Sequence, residues 1–99
     1  MCGNTTRREL ASPDGKYTAT SFIRDCGATT GFSPQVHLRQ TGEKLDSTGN
    51  VFIGNRSDEI EIYWLSSDHL VIVSDCEIIH HISRYEGIRV SFCPSILNR

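Results

Sequence analysis

Between Glu59 and Trp64 the chain alternates, with Ile60, Ile62 and Trp64 spaced two apart and Glu59 and Glu61 among them. Successive side chains of a strand point to opposite faces, so this spacing buries one face and leaves the acids in water. After the turn residues Ser66-Ser67-Asp68 comes Leu70-Val71-Ile72-Val73, apolar at every position, as a central strand covered on both faces requires. No segment carries the 3.6-residue apolar spacing of an amphipathic helix with comparable clarity. The chain is therefore read as all-β.

Other strands follow from the same rule. Ser12-Pro13-Asp14-Gly15-Lys16 has turn chemistry at each position: proline presets φ, aspartate bonds its own backbone, and glycine accepts positive φ. It leads into a strand from Tyr17 to Asp25, with Tyr17, Ala19 and Ile23 on one face and Lys16, Thr18, Thr20 and Arg24 on the other. Residues 26–34, with two glycines and a proline, form a loop. Gln35 to Gln40 alternates again, Val36 and Leu38 against His37 and Arg39. Residues 41–50 are a polar connection with room for one short helical turn near Glu43 to Asp46, and Val51-Phe52-Ile53 is a short strand closed by Gly54-Asn55.

Glu77 to Arg84 and Ile88 to Phe92 flank Tyr85-Glu86-Gly87, read as a three-residue hairpin loop with glycine at the left-handed position. Pairing Arg84 with Ile88 sets Val90 opposite Ile82 and Phe92 opposite His80. The expected architecture is an antiparallel meander of about six or seven short strands, forming a small sandwich or open barrel over residues 12–95. Residues 1–11, polar and without periodicity, read as a flexible tether, and residues 96–99 as a tail.

A length of 99 residues allows one domain. Ten Lys and Arg against twelve Asp and Glu, net −2, exclude the basic footprint of a nucleic-acid binder. No apolar run approaches the ~18–20 residues of a membrane-spanning helix.

Chemistry-bearing residues are few. His80 and His81 are consecutive on a strand and point to opposite faces, so they cannot chelate one metal together. His37 is read on the outward face of its strand, His80 as half-buried beside Phe92, and His69 in a turn. No metal-ligand spacing is present, and neither metal nor cofactor is expected. In the expected hairpin register Cys93 lies opposite Ile79, on the other face from Cys76 and ~10 Å along the strand. A disulfide tolerates Cα separations only to about 7 Å. Any bridge should then use Cys26, with Cys93 the better partner; the other reading is that the cysteines stay reduced and pack as small hydrophobes. The candidate functional loop is Asp25, Cys26, Thr29 and Thr30. A nucleophilic Cys26 would need a base within about 3 Å, and no cysteine-enzyme signature surrounds it. A non-enzymatic role is therefore expected, with a thiol-dependent or metal-dependent site around Cys26 and the 26–34 loop as the alternative.

Two resemblances add to this reading. Ser12-Pro13-Asp14-Gly15-Lys16-Tyr17 and Trp64-Leu65-Ser66-Ser67-Asp68-His69-Leu70 resemble turns in blades of TolB-type β-propellers. A chain this long holds about two blades where a propeller needs four to eight, so the resemblance extends to a blade-like sheet and not to a closed propeller. The run Arg24-Asp25-Cys26-Gly27-Ala28-Thr29-Thr30-Gly31-Phe32-Ser33, followed by Gly49-Asn50-Val51-Phe52 and Gly87-Ile88-Arg89-Val90, resembles a family of small bacterial exported lipoproteins of unknown function.

That resemblance implies a cell-envelope location facing the periplasm or exterior, with lipid on Cys2 anchoring the chain to a membrane surface. It assigns no activity; the expected partner is an unidentified protein or cell-wall component, and no nucleic acid. The basic and apolar stretches of a lipoprotein precursor do not precede Cys2, so Met1 reads as standing for a removed signal segment. The competing reading is that Met1-Cys2 is a native cytoplasmic start.

Overall fold

The turn at Ser12 to Lys16 organises the first hairpin of the computed structural model, which describes residues 3–25, 31–45, 49–55, 60–74 and 78–92. Gly15 has φ +77°, and its N–H donates to the Ser12 carbonyl at 2.8 Å. The Asp14 carboxylate accepts from the Ser12 hydroxyl at 2.6 Å and from the Lys16 N–H at 3.1 Å. The Ser12 hydroxyl also accepts from the Tyr17 N–H, so one side chain links both ends of the turn.

All regular elements among the described residues are strands: β1 (Gly3–Ala11), β2 (Tyr17–Asp25), β3 (Phe32–Gln40), β4 (Phe52–Gly54), β5 (Ile60–Ser66), β6 (His69–Ser74), β7 (Ile78–His81), β8 (Arg84–Tyr85) and β9 (Ile88–Phe92). They form a five-stranded sheet in the order β1-β2-β3-β4-β7 and a four-stranded sheet in the order β5-β6-β9-β8. The two do not close into a barrel; they face each other as a small open sandwich. Its shortest dimension, 18 Å, suits two layers packed about 10 Å apart.

Alternation decides which residues meet between the layers. Ala19, Ile23, Val36, Leu38 and Phe52 come from the first sheet, and Ile60, Ile62, Leu70, Ile72, Ile88 and Val90 from the second; all are buried in one cluster. Burying each large aliphatic or aromatic side chain stabilises the fold by roughly 1.5–3 kcal/mol before entropy is counted. The expected inward face of Ile60, Ile62 and Trp64 is the observed one, and Trp64 donates its indole N–H to the Leu10 carbonyl at 3.1 Å, joining the two sheets. Tyr17 and Tyr85 likewise meet across the two sheets, edge to face, with ring centroids 6.4 Å apart.

Four expectations are corrected. Gly3–Ala11, read as part of a flexible tether, is strand β1, paired antiparallel with β2 from Gly3↔Asp25 to Ala11↔Thr18 around a bulge at Arg7. Its side chains are exposed except for half-buried Leu10, because an edge strand is held by backbone hydrogen bonds that leave no apolar pattern. The meander is broken: β6 and β9 pair in parallel, and β7 leaves for the first sheet to pair with β4. The first sheet keeps a run of four consecutive antiparallel strands, β1 to β4, with β7 added beyond β4, whereas the second sheet, with its parallel pair, lacks the all-antiparallel pairing of a propeller blade.

The last hairpin is one residue tighter than expected. Tyr85 pairs with Ile88 and Arg84 with Arg89, around Glu86 (φ +55°) and Gly87 (φ +106°). Two consecutive positive φ values make a type I′ turn, whose twist matches that of the strands. Glu86 holds a conformation costing roughly 1–3 kcal/mol for a non-glycine residue, and its carboxylate accepts from Tyr17 Oη at 3.0 Å and Gln40 Nε2 at 3.3 Å. The register argument that separated Cys76 from Cys93 loses its basis, and both cysteines lie outside the described residues.

The expected placement of His80 shifts as well. His81, opposite Phe52, meets the Phe92 ring at 4.2 Å, whereas His80 lies opposite Ile53 and is exposed. His37 is on the outer face as expected, yet it is buried there.

Candidate functional site

Asp25 is the exposed last residue of β2, paired with Gly3 on one side and Phe32 on the other. Phe32 is 46% exposed, unusual for a phenylalanine at a strand start. Cys26, Thr29 and Thr30 of the candidate loop lie outside the described residues, as do Cys2 and Cys93, so the proposed bridge, the lipid site and the loop chemistry have no geometry here.

Behind β2 and β3 lies a buried polar cluster that alternation alone had left in water. Arg39 is 7% exposed, and each of its guanidinium nitrogens has a partner. Nη1 donates to Thr20 Oγ1 at 2.9 Å, Nη2 to Glu9 Oε2 at 3.1 Å, and Nε to the Glu43 carbonyl at 3.1 Å. The register explains the convergence, since Glu9, Thr20 and His37 form one cross-strand row and Arg39 is two residues further along β3. With one bond from each nitrogen, the guanidinium clamps β1, β2 and the 41–45 connection together.

The neighbouring connection is shaped to fit. Asn50 donates its amide to the Leu38 carbonyl at 2.7 Å and accepts from the Leu38 N–H at 2.8 Å, continuing the β3 edge beyond short β4 with a side chain. Gly49 donates its N–H to Gln35 Oε1 at 2.8 Å, and a Cβ there would stand 2.6 Å from the Phe52 carbonyl oxygen. Beside this connection opens a groove of about 620 Å³ lined by His37, Arg39, Glu43, Lys44, Leu45 and Tyr85, among others. Burial, then the carboxylates of Glu86 and Glu43, push the Tyr85 phenol above its ordinary value.

On the outer face of the second sheet a row of side chains crosses all four strands. Ser66 pairs with His69, His69 with Arg89, and Arg89 with Arg84. Directly paired residues share a face, and the buried neighbours Leu70 and Val90 place that face away from the core. With Asp68 and Gly87 the four residues line a cleft of about 220 Å³. Ser66 donates its hydroxyl to Asp68 Oδ1 at 2.7 Å, and His69 Nε2 is 2.7 Å from Ser91 Oγ. Residues at 66, 69, 84 and 89 share no local motif, so sequence reading missed the row; it exists through the strand pairing, including the unexpected parallel pair. Among the described residues no group of His, Cys, Asp and Glu is arranged to hold a metal ion.

An open sandwich of two small sheets, one mixed, is thus the class of protein these strands define. Within that class the chain belongs to a family of unknown function, DUF5412, whose model matches residues 2–86. No curated protein and no solved structure matches the chain. Among the described residues no helix is long and apolar enough to cross a membrane.

Proposed function

We propose that the chain is a non-enzymatic binding or structural module of the bacterial cell envelope, held at a membrane surface by lipid on Cys2 and serving an unidentified protein or cell-wall partner. The observation that carries this reading is the reach of β1: pairing with β2 extends to Gly3, the residue after Cys2. Lipid on Cys2 would then draw the Gly3, Asp25 and Phe32 end of the first sheet against the bilayer, with no polar tether between. One acyl chain anchors only marginally, so several chains or a second contact are needed, and the exposed Phe32 ring supplies an apolar contact in the same row. Family membership over residues 2–86, which takes in the Asp-Cys-Gly-Ala-Thr-Thr-Gly run, is compatible with this reading and assigns no competing activity.

Intact-mass analysis of the protein extracted from its native membranes tests it. The mass should exceed that of the polypeptide by acyl chains mapped to Cys2, and Cys2→Ser should move the protein to the soluble fraction. Native protein carrying an unmodified Cys2 overturns the proposal.

A further inference from the structure

We propose that the Ser66–His69–Arg89–Arg84 row is a binding site for a phosphoryl oxyanion. Arg84 and Arg89 stand directly opposite each other on adjacent antiparallel strands, a placement that is unfavourable for like charges. Neither is neutralised by an ion pair within the described residues, whose two salt bridges, Arg8 to Glu61 at 3.9 Å and Arg39 to Glu9 at 3.1 Å, lie elsewhere. Asp68 is the acid at this cleft. Its carboxylate is held by Ser66, and its backbone carbonyl accepts the Arg89 N–H at 2.8 Å. Two guanidiniums and one carboxylate therefore line the cleft, a local excess of positive charge carried on strand backbone, beside the His69 ring and the Ser66 hydroxyl.

The donor set selects the ligand class. A guanidinium presents a planar fork that grips two oxygens at once, and a carboxylate is saturated by one such fork. Two forks on neighbouring strands, about 5 Å apart at Cβ, have donors for the additional oxygens of a tetrahedral phosphoryl group. Asp68, at the Ser66 end, repels an anion there and confines it to the arginine end. The inference is independent of lipid on Cys2. A free phosphate ester and the headgroup of an anionic lipid offer the same chemistry, and the test separates them.

Amide chemical shifts of the full chain are followed during titration with inorganic phosphate at constant ionic strength, and the protein is co-sedimented with phosphatidylglycerol vesicles. Saturable shifts at His69, Gly87 and Arg89 are expected, weakened about tenfold or more by Arg84→Gln or Arg89→Gln and unchanged by Arg8→Gln. Vesicle binding lost in the same two variants supports the lipid headgroup as source; saturable phosphate shifts without vesicle binding support a soluble ester. Shifts that grow linearly without saturation, or binding indifferent to Arg84 and Arg89, overturn the site. Urea unfolding of the variants verifies that they fold, with a midpoint equal to or above that of the parent because a like-charge contact has been removed.

Discussion

Replacing Arg39 by methionine keeps an unbranched apolar stem and removes every hydrogen bond of the clamp behind β2 and β3. Thr20 is fully buried, and its hydroxyl is left without the guanidinium that satisfied it, at a cost of about 1–3 kcal/mol. Loss of the bond to the Glu43 carbonyl adds about 0.5–1.5 kcal/mol. The Glu9 pair adds less than about 1 kcal/mol, because that side chain is 56% exposed and rehydrates. Arg39→Met should therefore lower unfolding stability by about 2–4 kcal/mol, and equilibrium urea unfolding, with a slope of about 1–3 kcal/mol/M, should place the midpoint roughly 1–2 M lower. Adding Thr20→Val removes the stranded hydroxyl and should restore about 1–2 kcal/mol, since deleting both partners of a buried hydrogen bond is far milder than deleting one. A loss below about 0.5 kcal/mol at unchanged slope, or a double variant no better than the single one, would refute the reasoning that the clamp is needed for the buried threonine.

Two further outcomes follow from local geometry. Gly49→Ala forces a methyl group to within 2.6 Å of the Phe52 carbonyl and 2.9 Å of the Val36 carbonyl, both backbone atoms, so thermal unfolding should show a loss of at least about 1–3 kcal/mol. The Asp14 carboxyl is held below its ordinary value, first by the Ser12 hydroxyl and then by the Lys16 N–H. A carboxyl lowered in the folded state stabilises above its unfolded pKa of 3.8 and loses that contribution as pH falls through the folded value. Asp14→Asn should thus melt below the parent at pH 7, and the gap should narrow as pH is taken beneath about 3.8; a gap independent of pH would remove the carboxylate from the account.

What the sequence disclosed, and what it withheld, divides along a physical line. The alternation of Ile60, Ile62 and Trp64 and the unbroken Leu70-Val71-Ile72 run were readable because burial filters side chains strand by strand: Ile60, Ile62, Trp64, Leu70 and Ile72 face the core, and Val71 is buried on the other face of β6. The turn at Ser12 was readable because Pro13, Asp14 and Gly15 act within a few bonds of one another. Strand β1 was not, since its attachment resides in backbone groups common to all residues. Nor was the parallel partnership of β6 and β9, a choice between strands well apart in sequence that no local pattern records. Arg39 and His37 alternate as solvated residues do, and only the contacts of Arg39 with Glu9 and with Glu43 in the 41–45 connection show that their face is covered. The row Ser66, His69, Arg89 and Arg84 follows from those same distant pairings. Glu86 in a left-handed conformation is a further case, where Tyr17 and Gln40 from another sheet receive a residue that local preference would reject.

The place of β9 between β6 and β8 sets an order of events for the growing chain. The first sheet can begin with consecutive neighbours, since β1, β2 and β3 zip through short connections. The second cannot pass beyond the β5–β6 pair until residues 88–92 exist, because β8 attaches only through β9. Until then Leu70 and Ile72 lack their neighbours Val90 and Phe92, and the half-made sandwich displays a greasy strip together with an unpaired strand margin. Closure over such sequence separations is slow, in the millisecond-to-second regime typical of non-local β pairings. A chain of this design is most adhesive immediately before its last strand slots in, when a helper that shields β6 would be of greatest use to it.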